Sequence, residues 1–314
     1  MTTALFISVP ATTANLGAGF DTLGLALTLR NDVWITPAAH VGLAYQVEGE
    51  GAADVAAEPG ANLFDRVLRG TLKKLGSPIP AADVRMLNRI PWRRGLGSSS
   101  AAAVAGAVAG LSLAGAKVDP QTVLDLALPF EGHPDNLTPA IAGGFTAATL
   151  ANGVARFVRL PPPKLAAVAL VPSFGISTVE ARRLLPAQVS LGDAVHNLTR
   201  ASLLVAAIAA RRYDLLDLGT EDRLHQPHRA RLVPGFEAVR GAAREAGALA
   251  SFLSGSGPTI LALGLPARSS RIRAAMLASW SRHGRGEAQC LVLEVSARGA
   301  IVRGAFPRVR RRRT

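Results

Sequence analysis

The apolar positions of the chain alternate between short strand-like runs and longer helical segments. Residues 5–9 are apolar and β-branched, and Pro10 is expected to stop that strand, because proline removes a ladder donor. Residues 23–29, 33–36 and 84–90 read as further strands. Over 62–75, Leu63, Val67, Leu68 and Leu72 fall on one helical face. Ser98, Ser99 and Ser100 precede an alanine-rich helix former running to residue 113, which a serine can cap. Another helix is expected over 121–128. The composition changes near 153–163, ending in Pro161-Pro162-Pro163, so two domains are expected, 1–160 and 161–314. The second half alternates helices (193–210, 235–246, 269–280) with strands (165–171, 251–253, 259–263, 289–295), and no repeat of fixed period is visible. The pattern predicts an α+β protein.

With 314 residues, 49% of them apolar and 18% charged, the chain can build two packed cores and does not belong with disordered sequences. The net charge is +13, but six arginines lie in the tail 303–314, leaving +7 on the rest. That tail reads as a solvated end. Aromatics are only 5% and do not interleave with the arginines, so a nucleic-acid partner is not expected. Nor is a membrane partner, since the longest weakly apolar stretch, 101–116, falls short of a span. The N-terminus lacks a positive n-region, and a cytoplasmic location is expected. The single cysteine, Cys290, excludes an internal disulfide and is expected to be buried.

The candidate chemistry starts with Gly95-Leu96-Gly97-Ser98-Ser99-Ser100, preceded by Arg93 and Arg94. A glycine turn entering a helix offers unpaired N–H groups and the positive end of the dipole to a phosphate. Taken alone it reads more readily as an ordinary strand–helix turn. It is neither a Walker A loop nor a dinucleotide fingerprint. Ser254-Gly255-Ser256-Gly257-Pro258-Thr259 reads alone as a tight hairpin turn, and residues 15–21 as a small-residue loop. Glu131-Gly132-His133-Pro134-Asp135-Asn136 places two carboxylates where they would share a magnesium ion or orient a hydroxyl, or simply end one helix and cap the next. The polar runs 178–182 and 222–229 read as solvated surface loops.

Together these segments resemble the GHMP kinase superfamily and, within it, the homoserine kinase family. The resemblance rests on residues 9–24 (Val-Pro-Ala-Thr-Thr-Ala-Asn-Leu-Gly-Ala-Gly-Phe-Asp-Thr-Leu-Gly), on Ile90-Pro91 through Ala101, and on Ser254 through Thr259. His133-Pro134-Asp135-Asn136, Ala181-Arg182 and His225-Gln226-Pro227-His228-Arg229 point to the narrower family, with His228 standing where an aromatic hydroxyl is commoner. The resemblance implies two α+β domains, the first like ribosomal protein S5 domain 2 and the second ferredoxin-like, and a homodimer. It implies transfer of the γ-phosphoryl of Mg-ATP to the hydroxyl of L-homoserine, a step toward threonine.

By the same resemblance, Pro91, Arg93, Arg94, Gly95, Leu96, Gly97, Ser98, Ser99, Ser100, Ala101 and Gly257 would hold the nucleotide and Asn62 its adenine. Ser98 and Glu131 would hold Mg2+, with Asp125 as the alternative carboxylate. Arg182 and Arg229 would take the acceptor carboxylate, Asn15 and Asp21 its ammonium, and His133 and Thr178 would border it. Asp135, Asn136 and Arg182 would surround the reacting hydroxyl. Asn136 stands where some relatives have an aspartate base, so transfer without a dedicated base is expected. Rival readings are a mevalonate, shikimate or sugar kinase, or an RNA-binding protein, in which the glycine loops would have no purpose.

Overall fold

In the computed structural model, which describes residues 4–53 and 62–306, the first strand runs through the proline expected to stop it. β1 (Leu5–Ala14) pairs antiparallel with β2 (Leu23–Pro37), and the register shifts between Pro10 and Thr12. On its other edge β1 is paired only at Phe6, Ile7 and Ser8, so a missing N–H at Pro10 interrupts no ladder there. Residues 11–14 are therefore strand, not loop, and they carry Thr12 and Thr13 toward the centre of the molecule.

β3 (Leu43–Gly49) and β4 (Ala82–Asn88) pair in parallel across α1 (Leu63–Lys74). α2 (Ser98–Leu113) is apolar on every side, which suits a helix enclosed by protein. Its glycines let α1 approach: a Cβ at Gly106 would stand 2.5 Å from Phe64 O, and one at Gly110 2.6 Å from Thr71. α3 (Pro120–Glu131) and α4 (Pro134–Ala142) follow. A hairpin of β5 (Phe145–Ala151) and β6 (Val154–Leu160) then turns at Asn152 and Gly153, both at positive φ.

The second half runs β7 (Ala166–Pro172), α5 (Thr178–Arg183), α6 (Leu191–Ala210), α7 (Leu216–Gly219), α8 (Gln226–Arg229), α9 (Phe236–Glu245), β8 (Ala248–Leu253), β9 (Ile260–Gly264), α10 (Ser269–His283) and β10 (Ala288–Glu294). Its antiparallel sheet has the order β10-β7-β9-β8, which with its intervening helices is the ferredoxin-like arrangement. Val239, Ala243, Ile272, Met276 and Trp280 of α9 and α10 pack in one core with Val168, Leu170 and Ile260 of the sheet. Cys290 is buried in the same core.

Pro161, Pro162 and Pro163 fall between the last strand of the first sheet's hairpin and the first strand of the second sheet. The chain end then returns: β11 (Ile301–Arg303) pairs with β1 in the first sheet. Of the basic tail, Arg303 lies in that strand, while Arg308 and Arg310 to Arg313 lie outside the described residues. Among the described residues no helix is long and apolar enough to cross a membrane.

Candidate active site

The three glycine-rich segments, far apart in sequence, are tied into one body. Thr12 N–H donates to Leu96 O (3.1 Å), Gly255 N–H to Ala14 O (3.1 Å), and Thr259 N–H to Arg94 O (3.3 Å). Ser254 Oγ lies 2.6 Å from Gly95 O and 2.8 Å from Thr13 Oγ. A carbonyl only accepts, so the serine proton goes to Gly95 O and Thr13 donates to the serine. A Cβ at Gly95 would stand 2.3 Å from Ser254 O, which excludes any larger residue at that contact. The segment read as a simple hairpin turn does join β8 to β9, and it also buttresses the phosphate loop.

These segments line a cavity of about 360 Å³ between the halves. At one end lies the N-terminus of α2. Gly97, not a serine, is its N-cap, at φ +72 and without a side-chain cap bond. The first N–H groups and the hydroxyls of Ser98 and Ser99 therefore border the cavity. Gly97→Ala is expected to cost about 1–2 kcal/mol from the left-handed backbone alone. Its Cβ would also lie 1.9 Å from Thr12 Oγ, so a lower Tm and ATP binding weakened by roughly tenfold are expected together. A thermal melt and a nucleotide titration check this.

Glu131, the last residue of α3, reaches the same end, and Gly132 caps the helix in the left-handed conformation. Its Oε2 accepts from Ser100 Oγ (2.5 Å) and Ser99 Oγ (3.1 Å). Burial raises its pKa and the two hydroxyls oppose that rise. Asp125, the alternative carboxylate, is exposed and held by Gln121 Nε2 (2.7 Å), outside the cavity lining.

The opposite end is cationic. The run 222–229, read as a surface loop, turns three side chains inward: His225, Gln226 and Arg229 are 0%, 3% and 2% exposed. Asp222 makes this local fold, accepting from the N–H groups of Leu224, His225 and Gln226 and from Asn197 Nδ2. His225 Nε2 lies 2.8 Å from Gly17 O, so it carries the proton, and Nδ1 accepts from Arg229 Nη1 at 3.5 Å. Burial keeps this imidazole neutral. The ring of Phe20 stacks on His225 and lies under both guanidiniums, 5.4 Å from Arg182 and 5.0 Å from Arg229.

Arg229 donates to Gly255 O (3.2 Å) and, among the described residues, forms no direct ion pair. Burial and the neighbouring Arg182 lower its pKa to about 10. Arg182 Nη2 donates to both carboxylate oxygens of Asp21 (2.8 and 3.0 Å). The Nε atoms of both arginines are buried without a partner among the described residues. His133 Nδ1 lies 3.8 Å from Asp21, and burial lowers its pKa. Asn15 is more structural than expected. Its Nδ2 donates to Gly255 O (2.9 Å) and its Oδ1 accepts from Asp21 N–H (3.0 Å), which fixes the carboxylate's loop.

Between the two ends stand Asp135 and Asn136, in the first turn of α4. Asn136 Oδ1 accepts from Thr12 Oγ (2.7 Å). Asp135 is 6% exposed and accepts the N–H of Asn136. Burial, then Asp21 and Glu131, raise its pKa to about 7.

The cavity thus brings together Asn15, Asp21, Arg93, Arg94, Gly95, Gly97, Ser98, Ser99, Ser100, Glu131, His133, Asp135, Asn136, Thr178, Arg182, Arg229 and Gly257. Pro91, Leu96 and Ala101 are buried and shape the loop from behind instead of lining it. Asn62 is also outside the lining: it is the N-cap of α1, accepting from Asp65 N–H (2.7 Å). Sequence reasoning missed Trp92, Ile176, Ser177 and Val179, which line the cavity. Thr178 and Arg182 lie on helix α5, where a loop was expected, since Ser177 caps it by accepting from Glu180 N–H (3.1 Å).

Residues 62–144 match the family of GHMP kinases N terminal domain, and 204–282 match GHMP kinases C terminal. The homoserine kinase of Desulfitobacterium hafniense is 43% identical over 94% of this chain and 99% of its own length. That of Moorella thermoacetica is 42% identical, with the same coverage. A crystal structure of homoserine kinase from Cytophaga hutchinsonii superposes with a TM-score of 0.86 at 29% identity, covering 95% of this chain and 97% of that one. A mevalonate kinase from L. major shares the fold at TM-score 0.69 and 16% identity, covering 92% and 94%.

Proposed function

The chain belongs to the homoserine kinases of the GHMP kinase family, and from that premise we propose that it transfers the γ-phosphoryl group of ATP to the side-chain hydroxyl of L-homoserine. The observation that carries the acceptor is the charge pattern at the cavity's far end. Two guanidiniums whose buried Nε donors have no partner among the described residues stand beside the Asp21 carboxylate. A carboxylate and an ammonium on one small molecule match that set, whereas a neutral polyol offers hydroxyl acceptors but no charge to pair with the guanidiniums and Asp21.

The nucleotide end fits phosphate. Gly95 and Gly97 border the cavity with bare backbone, each packed too closely on Ser254 or Thr12 to carry a side chain, and α2 is a sixteen-residue helix whose N-terminal dipole end faces it. Ser98, Ser99 and Glu131 form a donor set of hydroxyls and one carboxylate. That suits magnesium, which takes few protein ligands and completes its shell with phosphate and water. Bound there, the ion would neutralise charge on the transferring group.

In the reaction the acceptor oxygen forms a bond to the γ-phosphorus as the bond to ADP breaks, and the hydroxyl proton must leave. Arg182 and Arg229 hold the acceptor carboxylate, Asp21 the ammonium, and Asn136 borders the hydroxyl. Asp135 takes the proton: a carboxylate with a pKa of about 7 is matched to general-base work at neutral pH. It is the alternative to base-free transfer, and the kinetics of Asp135→Asn decide between the two. Assembly as a homodimer and a cytoplasmic location belong to the same reading.

An ATP-consumption screen over L-homoserine, mevalonate, shikimate and simple sugars tests the acceptor. Turnover with homoserine at least a hundredfold above the others in kcat/KM is expected. Turnover confined to one of the others refutes the assignment.

A further inference from the structure

Two consecutive residues of the phosphate loop also hold the segment that delivers the acceptor-side residues. Ile176 N–H donates to Arg93 O at 3.2 Å, and Arg94 Nη1 donates to the carbonyl of Pro172, where β7 ends. Between these ties a Cβ at Gly175 would stand 3.1 Å from Arg93 O and 3.3 Å from Arg93 Cβ. The fastened segment leads through Ser177 into α5, whose Thr178 and Arg182 line the cavity. That helix has little hold of its own, since of its six residues only Ala181 is buried. Among the described residues it is also tied by Arg182 Nη2, which donates to both oxygens of Asp21.

Arg94 has a donor left over. It lines the cavity next to Gly95, and its Nε is buried without a partner among the described residues. A guanidinium is a rigid plane, so an anion that accepts from Nε also fixes the direction of Nη1. We propose that Arg94 is a positioning residue coupling the two substrates. Phosphate on the loop fixes its guanidinium, and the ties to Pro172 and Ile176 then hold α5 where Thr178 and Arg182 meet the acceptor. Taking ATP and homoserine as the substrates rests on the assignment above; the coupling goes beyond it. By linkage the effect is mutual, so the acceptor tightens nucleotide binding by the same factor.

The test is calorimetric titration of the full-length protein with L-homoserine, with and without saturating Mg2+ and a non-hydrolysable ATP analogue. In the wild type the analogue is expected to tighten acceptor binding by about 5-fold or more, the lower bound of ordinary coupling. Arg94→Met, which keeps the length and removes the donors, is expected to bring that ratio below about 2. Gly175→Ala removes no charge and lies outside the cavity lining. It is expected to lower the ratio while nucleotide affinity alone stays within about twofold. If Arg94→Met fails to fold, Gly175→Ala decides by the same criterion. A mutant ratio equal to the wild type's overturns the proposal, even where nucleotide binding itself weakens. A wild-type ratio of one overturns it too. No homoserine binding in either state would instead mark failure of the acceptor assignment, and the coupling would fall with it.

Discussion

Arg229→Met is expected to lower kcat/KM for L-homoserine by about three orders of magnitude while ATP affinity changes by less than about twofold. The size follows from where the guanidinium sits. Arg229 is 2% exposed, held by Gly255 O and His225 Nδ1, and forms no direct ion pair among the described residues. Asp21, Asp135 and Asp222 compensate its charge only from a distance, so an acceptor carboxylate can pair with it directly, and one drawn into the variant would be desolvated opposite an apolar side chain. Losing one member of a buried charge pair costs about 2–5 kcal/mol, which is roughly 30- to 5,000-fold. Arg182→Met is expected to cost less, because that side chain is 38% exposed and already paired with Asp21. Steady-state kinetics with each substrate varied separately check both. A loss shared equally between ATP and homoserine would mean that Arg229 supports the whole cavity and does not recognise the acceptor.

Asp135→Asn is expected to lower kcat by about two to four orders of magnitude with both substrates still bound. The wild type should show a kcat/KM that falls about tenfold per pH unit below about 7, where Asp135 becomes protonated, and the asparagine variant should lack that limb. The same group carries an opposite expectation for stability. Its pKa rises from 3.8 when unfolded to about 7 in the fold, so the folded state binds the proton more tightly. Its contribution to stability is therefore full below pH 4 and is lost as pH climbs toward 7. At pH 8 the variant escapes that loss, by at most about 4 kcal/mol, and should melt higher than the wild type, with the gap closing near pH 4. A kcat within tenfold of the wild type's would restore base-free transfer.

What the sequence made legible was the chemistry that depends on small residues at fixed spacing. Gly95 and Gly97 are readable because close contacts exclude a Cβ, and Gly255 and Gly257 because they sit at positive φ, constraints that show in the chain itself. The helix from Ser98 was legible from its alanines, although its glycine cap was not. The buried network at 222–229 was misread because its burial is set by Gly17 and Phe20, some two hundred residues away. Nothing in a run of polar letters says that they will be covered. Asp135 gains its unusual affinity for a proton in the same way, from burial and from Asp21 and Glu131 on other segments. Pro10 misled for a tertiary reason as well, since the short partner on that edge of β1 leaves its missing donor harmless. The Asn152-Gly153 turn, by contrast, was a local signal that reading by composition passed over.

The acceptor assignment is tested most directly by following the protein with Mg-ATP and L-homoserine by phosphorus NMR and identifying the phosphorylated product. The expected result is a new phosphate monoester on the homoserine side-chain oxygen, formed in step with ADP. ADP formed with inorganic phosphate alone, or no reaction with homoserine while another alcohol is phosphorylated, would contradict it.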